Sequence, residues 1–155
     1  MTSKTSQYLF LAVVTFFILI LIAPVQAAEY VSVKKDGVNI RSGPSTSDKV
    51  VWQVFESFPL KVVERKGQWA HVEDFEGDNG WIYETLISSQ KTVIVKVDTA
   101  NMRAGSSTGD PVIATVKKGV VFDVVQMKGD WVKVNYKDEL TGWMHNSLLW
   151  PDNPL

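Results

Sequence analysis

Two stretches of this chain are copies of each other, and that repeat limits the available folds more than any other feature. Sliding the sequence by about 62 residues aligns Val31–Leu86 with Val93–Leu148 without a gap, giving about 21 identities where chance leaves about three or four. Asn39-Ile-Arg-Ser-Gly matches Asn101-Met-Arg-Ala-Gly, Lys66-Gly-Gln-Trp matches Lys128-Gly-Asp-Trp, and Gly80-Trp matches Gly142-Trp. One small unit must therefore fold twice, with boundaries near 29–88 and 92–151.

Each copy reads as short strands. Val31-Ser-Val and Val50 to Val54 alternate apolar with polar residues, and Leu60-Lys-Val-Val-Glu-Arg is rich in β-branched residues. The run stops at Lys66-Gly67, a turn signal, and Trp69-Ala-His-Val returns from it as a hairpin. Phe75 to Asn79 reads as a polar, flexible loop before Gly80-Trp-Ile-Tyr resumes a strand. No stretch after residue 28 keeps a helical period of useful length. Several short strands in a unit this small bury one core only if the sheet curls on itself. The expected fold is all-β: two tandem small β-barrels. The connection Ser88–Thr92 lacks Gly and Pro, so the barrels are expected to hold a fixed relation. On this pattern Trp81 and Trp143, each following a strand glycine, are expected in the two cores.

The first 27 residues read as a secretory signal peptide. Lys4 precedes a mainly apolar stretch from Leu9 to Ala23, and Val25 and Ala27 hold small-residue positions before Glu29. Cleavage is expected after Ala27, which would place the protein in a periplasm or outside the cell. The rival reading is an uncleaved anchor, although the apolar run falls short of the roughly 20 residues that span a bilayer.

Composition narrows the chemistry. A net charge of -1 gives no electrostatic drive toward nucleic acid or an anionic membrane. The first copy carries roughly -3 and the second roughly +1, a mild asymmetry that could help the two dock. Cysteine is absent, which removes disulfides, thiolate metal sites and a Cys nucleophile. The two histidines, His71 and His145, fall opposite Lys133 and Tyr83, and neither sits in a metal-binding spacing. The carboxylates from Glu73 to Asp78 lack a calcium-loop spacing and read as a solvated turn. No enzyme activity, cofactor or metal is expected.

The distinctive polar residues are Asn39, Arg41, Asn101 and Arg103. A structural role fits them: Asn holds turns through nearby backbone, and Arg staples a loop to carbonyls. The alternative is that Arg41 or Arg103 meets a ligand carboxylate with its bidentate fork. The structural role is favoured because both copies keep the motif while diverging elsewhere. Gly43 and Gly105 are expected to supply a positive backbone dihedral in that loop. Trp69 and Trp131 begin the return strands and read as half exposed. Trp52 is replaced by Ala114 in the second copy, so the fold does not require it. With Phe55, Phe58 and Tyr83 it is a candidate binding surface, and packing between the barrels is its competing role.

The Val-Asn-Ile-Arg-Ser-Gly-Pro string, the Lys-Gly-x-Trp turn and the later Gly-Trp-Ile resemble the bacterial SH3 (SH3b) domain family, twice at matching spacing. The second copy departs at Ser106 for Pro44 and Ala114 for Trp52. The resemblance implies a small β-barrel, and many such domains accompany cell-wall hydrolases and bind peptidoglycan peptides. It implies a non-catalytic exported binding module for peptidoglycan or its peptide stem. The alternative is an adaptor that binds a peptide or partner enzyme in the periplasm. The ligand-binding candidates are Arg41, Trp52, Phe55, Trp69, Tyr83, Arg103 and Trp131.

Overall fold

The computed structural model describes residues 27–155, so the expected signal segment lies outside the described residues. Among the described residues, strands carry almost all regular structure. The first copy forms β1 (Glu29–Val33), β2 (Val38–Arg41), β3 (Val50–Val54), β4 (Pro59–Lys66), β5 (Trp69–Glu73) and β6 (Asn79–Tyr83). A single 3₁₀ turn at Glu84–Leu86 leads into β7 (Ile87–Ser88). The second copy repeats this as β8 (Thr92–Val95), β9 (Thr99–Arg103), β10 (Val112–Lys117), β11 (Val121–Lys128), β12 (Trp131–Tyr136) and β13 (Leu140–His145). Its 3₁₀ turn at Asn146–Leu148 leads into β14 (Leu149–Trp150).

Each copy builds one antiparallel seven-stranded sheet of the same order, β3-β2-β6-β5-β4-β1-β7 and β10-β9-β13-β12-β11-β8-β14. The sheets curl into small-barrel-like units. Bulges bend the long strands, one between Val62 and Glu64 in the first copy and one between Val124 and Gln126 in the second. Curling also needs β2 and β6 to approach closely. A Cβ on Gly80 would lie 2.5 Å from Ile40 Cγ2 and 2.9 Å from the Arg41 carbonyl oxygen. Gly142 meets Met102 in the same way, with its Cγ 2.5 Å from the added atom.

The alternating strands send one face inward. Ile40, Leu60, Ala70, Val72 and Ile82 are fully buried in the first core. Met102, Phe122, Val132, Val134 and Met144 fill the same places in the second. This corrects the reading of the strand tryptophans. In β6 the inward residues are Gly80 and Ile82, so Trp81 stands half-buried on the opposite face, and Trp143 does the same beside Met144. The period-2 geometry of a strand forces this once Ile82 is inside.

The barrels pack on each other through particular residues. All four residues of β8 are buried: Val93 and Val95 enter the second core, while Ile94 joins the first. Trp150 also packs against the first core and meets the Tyr30 ring. Lys118 Nζ pairs with Glu76 at 2.7 Å and lies over the Phe75 ring, which matches the charge division between the copies. Lys91 Nζ donates to the Tyr30 carbonyl oxygen at 3.4 Å, and Gln90 Nε2 donates to Asp123. The segment expected to be a flexible loop is instead pinned. Asp74 is buried, and its Oδ1 accepts from the Glu76 and Asp78 backbone N–H groups at 2.9 and 3.0 Å. Burial pushes the Asp74 carboxyl above its ordinary range, while those two hydrogen bonds pull the other way.

Candidate functional site

The outer face of β5 and β6 carries the side chains that the core leaves out. Trp69 pairs across strands with Tyr83, and their rings meet edge to face with centroids 5.3 Å apart. Tyr83 Oη donates to Gln68 Oε1 at 2.8 Å, which fixes the phenol beside the turn. One pair further along, His71 stacks on Trp81 at 4.9 Å. The loop after β2 folds over this end of the sheet, and its position depends on Arg41. Arg41 Nη1 donates to the Asp48 carbonyl oxygen at 2.8 Å, tying the start of the loop to its end.

Together these elements enclose a groove of about 650 Å³ whose walls include Lys35, Arg41, Pro44, Gln68, Trp69 and Tyr83. The second barrel repeats it. Arg103 Nη1 donates to the Asp110 carbonyl oxygen at 2.8 Å, and Trp131 meets His145 edge to face at 5.4 Å. That groove is smaller, about 320 Å³, and Arg103, Thr108, Trp131 and His145 line it. Thr46, Trp69 and Leu86 of the first groove correspond by the repeat to Thr108, Trp131 and Leu148 of the second.

The structure therefore brings Arg41, Trp69 and Tyr83 to one groove, and Arg103 and Trp131 to its counterpart. Trp69 and Trp131 are half-buried, as their place at the start of the return strands implies. Trp52 and Phe55 lie elsewhere. Trp52 packs on the core of its own barrel, its ring tip 3.4 Å from where a Gly80 Cβ would stand. In the second barrel Ile113 approaches Gly142 in that place, which is how Ala114 is tolerated. Phe55 stands 43% exposed against buried Phe58, at a cleft between the barrels. The grouping of Trp52, Phe55, Phe58 and Tyr83 on one surface does not form: Trp52 packs on the core, Phe58 is buried in it, Phe55 faces the cleft between the barrels and Tyr83 lines the groove.

The loop motif is also built differently from its sequence reading. Gly43 and Gly105 do not take a positive dihedral. Their requirement is space: a Cβ would meet the Asp48 carboxylate oxygen at 2.5 Å, or that of Asp110 at 2.3 Å. Asn39 holds no turn. Its Oδ1 accepts from Gln53 Nε2 at 2.8 Å across the strand pair, and Asn101 Oδ1 accepts from Thr115 Oγ1 at 3.4 Å. Sequence reasoning did not place Gln68, Lys35 or His145 in the site. The repeat held the signal for His145, since it aligns with Tyr83.

This architecture defines a tandem of small β-barrels, each with an Arg–Trp groove at one end. The chain belongs to the bacterial SH3 domain family, which it matches over residues 34–89 and again over 96–151. A curated relative is YrvJ of Bacillus subtilis (strain 168), named as an N-acetylmuramoyl-L-alanine amidase, at 27% identity over 125 residues. That match covers 74% of this chain and 24% of the relative, so the chain spans about a quarter of the relative's length. Among solved structures, an NlpC/P60 family protein from Bacillus cereus aligns over 77% of this chain and 55% of its own at 13% identity, TM-score 0.38. NlpC1 from Trichomonas vaginalis aligns over 83% and 47% at 14% identity, TM-score 0.34. Among the described residues no helix is long and apolar enough to cross a membrane.

Proposed function

We propose that this protein is a non-catalytic, exported wall-binding module whose two equivalent grooves hold peptidoglycan through its peptide stem. The observation that carries the reading is the duplicated groove. Both barrels keep the stapled arginine and the half-exposed tryptophan at one end, although the sequences have otherwise diverged. A rigid aromatic wall beside a fixed polar donor is the usual make-up of a small-ligand site. Membership in the bacterial SH3 family and a relative named as an amidase point the same way. The non-catalytic part rests on the histidines. His71 is held against Trp81, and His145 Nδ1 accepts from the Ser147 backbone N–H at 3.3 Å, with the Ser147 hydroxyl 2.8 Å away. The Ser147 contact builds a turn, and His71, whose Nδ1 lies 3.7 Å from the Glu64 carboxylate, meets Asn79 through Nε2 and, among the described residues, no hydroxyl nucleophile.

Co-sedimentation of the purified protein with peptidoglycan sacculi tests the reading. Retention is expected, reduced by Trp69→Ala and reduced further by adding Trp131→Ala. A protein that stays in the supernatant ends the wall-binding proposal.

One observation favours a second reading, a peptide adaptor. β3 and β10 are sheet edges, and both expose an apolar pair, Val50-Val51 and Val112-Ile113. An extended partner segment adds to such an edge through backbone hydrogen bonds. Lysine placed at Val51 and Ile113 is expected to abolish partner capture under this reading and to leave sacculus binding intact under the first.

A further inference from the structure

We propose that each groove is a carboxylate receptor, with the free edge of Arg41 or Arg103 taking a peptide carboxylate, and that the first groove binds more tightly. The inference rests on the wall-binding reading and narrows it to one chemical group of the ligand.

A guanidinium offers five N–H donors in a planar fork. In both barrels one nitrogen, Nη1, is engaged by a loop carbonyl at 2.8 Å. Neither arginine takes part in an ion pair among the described residues. Both are only partly exposed and both line a groove. A partly exposed guanidinium with donors left over is open to a ligand carboxylate, which charge-assisted hydrogen bonds would hold. The groove walls agree in sign: no Asp or Glu lines either one.

The staple also prepares the site. Holding Nη1 on the Asp48 carbonyl fixes the plane of the Arg41 guanidinium before any ligand arrives, so ordering it costs little on binding. Trp69 and Tyr83 then form an apolar wall alongside for the rest of the ligand residue.

The two grooves differ in ways that rank them. The first is about 650 Å³ and includes the cationic Lys35; the second is about 320 Å³, and Val97 takes the lysine's place in the repeat. A second positive charge at the mouth attracts an anion, and the wider groove admits a longer peptide.

The test uses an alanyl dipeptide acetylated at its amine, so that the C-terminal carboxylate is its only charge, and the same dipeptide as its carboxamide. Each is titrated into the protein while the Trp69 and Trp131 indole N–H signals are followed by NMR. Saturable shifts are expected with the acid, at lower concentration for Trp69, and about tenfold weaker binding with the carboxamide. Arg41→Lys keeps a charge and a donor for the loop but loses the fork, and is expected to weaken the first groove about fivefold or more while leaving the second unchanged. If that variant loosens the loop, the acid–carboxamide comparison on the unaltered protein still decides. Equal binding of acid and carboxamide, or no binding of either, overturns the inference. Retention on sacculi without carboxylate preference leaves the wall reading standing and removes only this inference. Carboxylate-selective binding without retention removes the wall reading instead.

Discussion

Tyr30 on the first strand of the first barrel and Trp150 at the end of the second meet edge to face, with ring centroids 5.4 Å apart and planes at 90°. Trp150 pairs in register with Ile94, a residue of the second copy buried in the first core, so both side chains reach across the junction. Two domains joined by a short linker could unfold independently; these share buried surface.

That sharing predicts coupled unfolding. The intact protein is expected to show one calorimetric transition. Trp150→Ala removes the aromatic contact and part of the first core, lowering stability by about 2 kcal/mol and splitting the transition in two. A single transition at an unchanged midpoint in the variant would show that the barrels do not depend on this contact.

Glycine substitutions separate two kinds of close approach. Gly80→Ala drives a methyl group into Ile40 and into the backbone carbonyl of Arg41, neither of which can yield without opening the curl between β2 and β6. A loss of about 3 kcal/mol is expected. Gly43→Ala meets only the Asp48 side chain, which can rotate, so a loss of about 1 kcal/mol is expected. Urea midpoints for the two variants check the order, and a reversed order would refute this account of the loop.

Ser57 holds a φ of 65°, and its counterpart in the second barrel is Gly119 at 87°. Both backbone N–H groups donate to a β1 or β8 carbonyl, Ser57 to Val33 and Gly119 to Val95, so the conformation is required in each copy. Left-handed backbone costs a side-chain-bearing residue about 1 kcal/mol or more, offset partly by the flexibility glycine adds to the unfolded chain. Ser57→Gly is expected to stabilise by about 0.5 kcal/mol and Gly119→Ser to destabilise by about 1 kcal/mol. Thermal melts of both variants read the sign directly.

Asp74 and Glu29 give opposite pH dependences. Burial raises the Asp74 carboxyl, so the folded state holds its proton more tightly than the unfolded chain does. Its contribution to stability is present at low pH and is lost as pH rises through the raised value. Glu29 is lowered by its hydrogen bonds to Arg65, and what it adds is present at neutral pH and lost on acidification. Asp74→Asn keeps the oxygen that accepts from Glu76 and Asp78 but removes the buried charge. The variant is expected to be more stable than the parent at pH 7, with the difference shrinking towards pH 3. A constant difference across that range would place the effect in the turn hydrogen bonds instead.

How much of this was legible beforehand varies by residue. The hairpin at Lys66-Gly67 was readable because turn chemistry is local, and Gly67 takes the positive dihedral, φ 60°, that the turn demands. The loop staple by Arg41 was readable as a type of interaction. The place of Trp81 follows alternation and not size: with Gly80 and Ile82 inside, β6 has no inward position left for the indole. The Gly43 reading failed for a related reason. A glycine can be needed for its missing Cβ as well as for its dihedral, and only the position of Asp48 distinguishes the two.

The amino-acid sequence determined what depends on near neighbours and on repetition: the two copies, their strands and turns, and the motif that assigns the family. The tertiary structure decided which side chains share a space. Trp69 and Tyr83 became one wall because β5 and β6 pair in that register, and Arg41 joined them because β2 pairs with β6 at Trp81. The curl of the sheet left Trp52 on the core and Phe55 at the junction. Local propensity encodes a strand, whereas the register and closure that gather distant residues follow from burying both cores at once.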